Sequence, residues 1–334
     1  MRAHALSGHT ENTMHLLQPD PASALLALRA MKTVASAGGT IGTAQRVLMD
    51  AARQVVLKIE VDIDALTPVD PATLAARVTD PVLRRQFING MMVLALADGI
   101  PAPVTTAAVS AFAEALGIET PELNDIRHLT QHQMLLFRID FMRRGHIADI
   151  MRNQLDQHGL LGLTRSVLGM QGLIEDKELA AKYLAWEKLP EDTLGNAVWR
   201  HYHVNGFTFP GERHGFPEAG VYHDFSHVLG HYDTDVPGEI EVASFTAGYK
   251  HKRPFYVVLF VVLTFSTGVN VRPIPGDAVV GALGQPGVAE RMFAALDRGG
   301  SVTVDLSDKW DYWPYVALPL QEVRQRLGVP PAPV

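Results

Sequence analysis

Residues 222–245 read YHDFSHVLGHYDTDVPGEIEVASF. The spacing predicts a helix, a break and a second helix. His223 and His227 stand four apart, so on a helix they share a face, with Cβ atoms roughly 5–6 Å apart. Two imidazoles so placed can meet one metal ion. Zinc metalloproteases use the same spacing, with a Glu directly after the first His; here Asp224 holds that position, and it can add a carboxylate if the helix turns its edge to the site. The break runs from Asp233 to Gly238. Asp235 is a good N-cap and Pro237 suits a first helical turn. Glu239 then falls near the start of the second helix, where its carboxylate can turn back towards the first. These side chains are hard or borderline donors, suited to Zn²⁺, Mn²⁺, Fe²⁺ or Mg²⁺. The chain has 14 His, so a pair at this spacing also arises by chance, and spacing alone leaves a structural role open.

Upstream, residues 22–150 read as helices, with strand-like alternation almost absent. Apolar residues recur at helical spacing in Ala22–Ala35, Gln45–Val56, Arg84–Ala97, Thr105–Leu116 and Glu122–Arg143. Turn chemistry separates them at Gly38-Gly39, Pro68 to Pro71, Asp80-Pro81 and Asp98-Gly99. A weak repeat links MKTVASAGGTIG, Met31–Gly42, to MMVLALADGIPAP, Met91–Pro103. In each copy an apolar helix ends in a Gly-containing turn and another helix follows, with Gly39 and Gly99 as left-handed caps. This arrangement resembles the tellurite-resistance TerB-like helical domain, whose copies carry an Ala-Asp-Gly turn. The second copy keeps it as Ala97-Asp98-Gly99. The first has Gly38 in place of the acid, which argues against a metal role in that half and leaves Asp98 as a residue that shapes a turn.

The basic, polar stretch Arg143–Asp149 marks a boundary. The expected organisation is a polar lead-in over 1–21, a helical domain over 22–148 and a second helical domain over 149–334. The fold class is mainly α, with a metal site between two helices of the second domain. Helical patterning resumes over Ile150–Trp186 and again over Thr193–Val204, and Asn205–Gly220 reads as a loop. The most apolar run, FYVVLFVVLTF at Phe255–Phe265, is shorter than the roughly 18 residues a bilayer span needs. It reads as a buried helix, with a membrane-dipping helix and a true span as the alternatives. YKHKR at Tyr249–Arg253 precedes it. This collar is either a solvated helix end or a match for an anionic head group or membrane surface, with Lys250 and Arg253 as candidate substrate-binding residues.

Composition narrows the chemistry. The 334 residues carry a net charge of −7, which argues against a generic grip on nucleic acid. With no cysteine there is no disulfide scaffold, iron–sulfur cluster or thiol nucleophile. Phosphate-binding loops and dinucleotide fingerprints are also missing from the sequence. No secretion signal is visible, so the expected location is cytoplasmic, with peripheral membrane contact as an option.

The pattern His-Asp-x-x-His, eleven residues, then Glu resembles the signature of the coenzyme Q (ubiquinone) biosynthesis protein 4 family. His223, Asp224, His227 and Glu239 match it position by position. Leu189–Gly195 resembles that family's lead into a helix, and Trp310–Trp313 with Leu318–Arg324 its ending, so the likeness covers about residues 150–330. The resemblance implies these four residues as ligands of one divalent metal ion, zinc first, with manganese, iron or magnesium as alternatives. It also implies ubiquinone-type biosynthesis: a lyase-like removal of a ring carboxylate, or its oxidative replacement, on a prenylated or aromatic lipophilic molecule. One rival is a non-catalytic lipid-binding scaffold that gathers biosynthetic enzymes. The other is a His-Asp-type metal phosphohydrolase, for which His201 or His203 would be further ligands and Glu239 would have no role. His231 and His214 read as surface or packing residues.

Overall fold

Acid–proline pairs start three of the helices. Asp20, Asp70 and Asp80 each accept backbone N–H groups from the first turn of the helix they precede, and a proline follows each of them. Thr120-Pro121 does the same. Asp-Pro at 70–71 and 80–81 therefore opens a helix, because a side-chain acceptor at the N-cap and a fixed φ at the next residue both favour the first turn. The computed structural model describes residues 14–271 and 279–332. The first thirteen residues of the lead-in lie outside it.

Among the described residues the chain is all helical. The N-terminal helices are α1 (Pro21–Ser36), α2 (Thr43–Ala51), α3 (Pro71–Arg77), α4 (Pro81–Leu96), α5 (Pro103–Ala115), α6 (Pro121–Thr130) and α7 (Met134–Arg144). Then come α8 (His146–Met170), α9 (Lys177–Leu184), α10 (Leu194–Asn205), α11 (Tyr222–Gly230), α12 (Val236–Tyr249), α13 (Phe255–Phe265), α14 (Val288–Gly300) and α15 (Leu320–Leu327). A π-helical turn, Ala52–Leu57, extends α2. The predicted helix over Glu122–Arg143 is two helices, broken where His132 takes a φ of +57°. The short α3 lies within a stretch that reads as turn and linker. The two repeats turn alike where their first helix ends: Gly39 and Gly99 take φ of +114° and +124°.

Two apolar cores form, and α12 faces both. Ile240, Ala243 and Ala247 join the core of α1 to α7. Val242, Phe245 and Tyr249 join the core of α9 to α11 and the C-terminal segment. Both triplets follow helical spacing, so α12 has no solvent-facing apolar stripe to spare. Helix α13 belongs to the first core: ten of its eleven residues are buried. Among the described residues no helix is long and apolar enough to cross a membrane.

Helices α12 and α14 cross backbone to backbone. A Cβ on Gly299 would lie 2.0 Å from the Phe245 carbonyl oxygen, and one on Gly248 would lie 2.4 Å from that of Leu296. Backbone meets backbone here, and nothing flexible can give way. Gly299→Ala should therefore destabilise the protein by at least the roughly 1–3 kcal/mol of ordinary overpacking. Urea unfolding measures this; an unchanged midpoint would show that the two helices can slide apart freely.

Candidate metal centre

The helix–break–helix forms as the spacing predicts. Asp235 caps α12 by accepting the Gly238 N–H at 2.8 Å, and Glu239 follows in the first turn. Helix α11 is fixed at its other end. Arg324 donates to the carbonyls of Val228 and Leu229, and Arg298 donates to that of Gly230. Both guanidinium groups meet the negative end of the α11 dipole, where cations are stabilising. The helix is thus clamped a turn beyond its two site histidines.

His223, His227 and Glu239 converge. Their nearest donor atoms lie within 4.8 Å of one another. His223 Nε2 is 3.3 Å from His227 Nε2. Glu239 Oε2 is 3.4 Å from His223 Nε2, and Oε1 is 3.4 Å from His227 Nε2. Metal–ligand bonds of about 2.0–2.2 Å in tetrahedral geometry put ligands about 3.4 Å apart. The three edges match that spacing and exceed the usual 2.7–3.2 Å of a good N–H···O bond.

Protonation sharpens the point. His227 is 1% exposed, and its Nδ1 faces the Tyr232 carbonyl at 3.2 Å. A carbonyl only accepts, so Nδ1 carries the proton and the Nε2 lone pair faces the Glu239 carboxylate. Two lone-pair-bearing groups aimed at each other call for a cation between them. Without an ion, a proton on His223 meets that demand. Burial alone would lower the His223 pKa, but the Glu239 carboxylate outweighs it and lifts it to about 8. Burial would raise Glu239, yet the proton on His223 beside it holds it far below the usual carboxylate range. The donors therefore fit a divalent ion.

Asp224 does not join the three. Its Oδ2 accepts the Tyr202 hydroxyl at 2.5 Å. Neighbouring residues on a helix point about 100° apart, so with His223 and His227 facing α12, Asp224 faces α10. Lys250 is buried, with its Nζ 3.3 Å from Asp149 Oδ2 and 3.1 Å from Ser307 Oγ. Arg253 also binds Asp149, and Lys252 binds Asp308, so the basic collar is matched by acids within the chain. His231 is exposed at the end of α11, with φ +60°, and His203 and His214 are exposed as well.

Two histidines enter from outside the motif. The ring of His201, on α10, stacks on His227 with centroids 5.3 Å apart, and its Nε2 is buried without a partner. Burial lowers its pKa, so it is neutral at pH 7. His146, at the start of α8, packs edge-on against Phe260, and its Nδ1 is buried without a partner. Burial first, then the charges of His223 and Lys250, push its pKa down to about 3. No fixed interval ties either residue to the motif. A second group, Asp125, His128 and Asp140, also gathers. There Arg144 reaches Asp125 at 3.2 Å and Asp140 at 3.7 Å, so a guanidinium already supplies the positive charge.

Two outcomes are expected. Glu239→Ala should weaken metal binding at least about 10-fold, whereas Glu241→Ala, whose carboxylate instead faces Arg291 at 3.5 Å, should leave it unchanged. Equal effects in metal-buffered titrations would point to a different carboxylate. His146 stays neutral in the fold, so the stability it confers is present above its unfolded pKa near 6.5 and is lost as pH falls from there towards 3. Between pH 7 and pH 5 the wild type should lose about 1–2 kcal/mol more stability than His146→Phe; identical pH profiles by chemical denaturation would remove His146 from this role.

No family model matches the chain, and no curated protein matches it.

Proposed function

We propose that the chain is a metal-dependent enzyme that removes the carboxylate from a lipophilic aromatic acid. The observation that carries this reading is the convergence of two neutral-capable imidazoles and one carboxylate at tetrahedral spacing, with His223 partly open to solvent. Two histidines and a glutamate with a fourth position open is a donor set used by catalytic zinc, and the same set suits non-haem Fe(II). Zinc is the first choice, and iron would go with oxidative replacement of the carboxylate, for which dioxygen would be the oxidant. A divalent ion bound there would supply Lewis acidity towards an anionic substrate group. Around it, Tyr232 fixes the His227 tautomer, Tyr202 holds Asp224 on the α10 side, and His201 adds a neutral ring against His227. The aromatic, prenyl-type substrate class and the link to ubiquinone-type biosynthesis rest on the His-Asp-x-x-His…Glu resemblance.

The test pairs elemental analysis of the purified protein with carboxyl-labelled prenylated hydroxybenzoates. Labelled CO₂ release that needs both the metal and Glu239 is the expected result. Stoichiometric metal with no release across the series would instead favour a scaffold that binds the lipid without converting it.

A further inference from the structure

A cavity of about 630 Å³ lies where α1, the π-helical turn, α4, α13 and α14 meet. Its volume is in the range of small-molecule sites. None of His223, Asp224, His227 or Glu239 lines it, and most of its wall comes from residues before 145. Met31, Met91, Phe255, Val258, Met292 and Leu296 make it predominantly apolar.

The wall given by α4 is graded. Arg85, Asn89 and Val93 all line the cavity and stand four apart, on one face of the helix. Arg85 is exposed, Asn89 is 8% exposed and Val93 is 5% exposed. Along this face the lining passes from a cation in water, through one amide, to hydrocarbon. The Asn89 side chain makes no hydrogen bond among the described residues, and its amide atoms are not among the buried unpaired ones, so the amide is reachable from the cavity it lines. Arg85 has no acidic partner among the described residues, unlike Arg253, which also borders the cavity and is bound to Asp149. Glu122 reaches the cavity as well, with its carboxylate accepting the Thr120 hydroxyl. A Cβ on Gly90 would meet nothing within 4 Å, so the cavity lies open beside α4.

We propose that this cavity binds a single-chain amphiphile with an anionic head. The hydrocarbon chain fills the apolar part, the Asn89 amide bonds a head-group oxygen, and Arg85 meets the negative charge at the mouth. This site is separate from the metal centre and does not rest on the proposed reaction.

The test uses the full chain and dispersed saturated fatty acids of eight to sixteen carbons, below their micelle concentrations, beside the matching primary alcohols. Titration calorimetry reads the affinities. Binding should tighten about fourfold per added methylene, equivalent to about 0.8 kcal/mol, until the cavity is full. Gly90→Phe should weaken every ligand at least about tenfold without lowering the unfolding midpoint, since it fills open space and removes a helical glycine. Arg85 is exposed, so Arg85→Glu tests the head without risk to the fold: acids should weaken more than fivefold and alcohols should not change. Affinity indifferent to chain length overturns the proposal, as does full binding by a folded Gly90→Phe variant. Equal loss of acids and alcohols in Arg85→Glu overturns the anionic head. Binding to phosphatidylglycerol vesicles with none to dispersed acids overturns it too, because it would place the ligand on a membrane surface.

Discussion

The contact on which the rest depends is the glycine-to-backbone crossing of α12 on α14. It brings two helix backbones closer than any side chain would permit. Helix α12 is the wall between the two cores, and its first turn carries the carboxylate of the metal centre. Moving that crossing by an ångström would displace Glu239 from histidines that hang on a different helix. Metal ligands tolerate little such error.

Helix α14 steadies the histidines too. Arg298, beside Gly299, reaches the Gly230 carbonyl at the end of α11 and lies over the Tyr232 ring, with 5.2 Å from guanidinium carbon to centroid. One residue thus fixes the histidine-bearing helix while the next sets the position of the carboxylate-bearing one. Tyr232 in turn orients His227 through its carbonyl. Both halves of the site refer to one short stretch of α14, which lies about seventy residues downstream in the chain.

Much of this was legible in the sequence where the governing physics is local. The His pair follows from helical period, and the Asp235 cap and Pro237 place Glu239 at a helix start. The same period argues against Asp224 sharing the face of His223, and the structure turns it to Tyr202. Other features depend on long-range packing. FYVVLFVVLTF is apolar all round, so it has no face from which to read a destination, and it packs in the core of the N-terminal helices. Asp80-Pro81 reads equally as turn or helix start until the first-turn amides are seen to point at the acid. His201 and the graded wall of α4 depend on which helices meet, which no interval in the chain encodes.

Asp98 in the second repeat has a consequence for assembly. Its carboxylate accepts the N–H groups of Ala44 and Gln45, at 2.9 and 2.8 Å, more than fifty residues earlier in the chain. Helix α2 is preceded by Gly42, which has no side chain to cap it, and a Cβ there would collide with Asp98. The positive end of α2 is therefore neutralised only once the second repeat has docked. A helix whose start is closed from a distance gains little by forming alone, because the loop must first be brought together. The cap on α2 thus exists only with the second repeat in place, so each repeat contributes to the stability of the other.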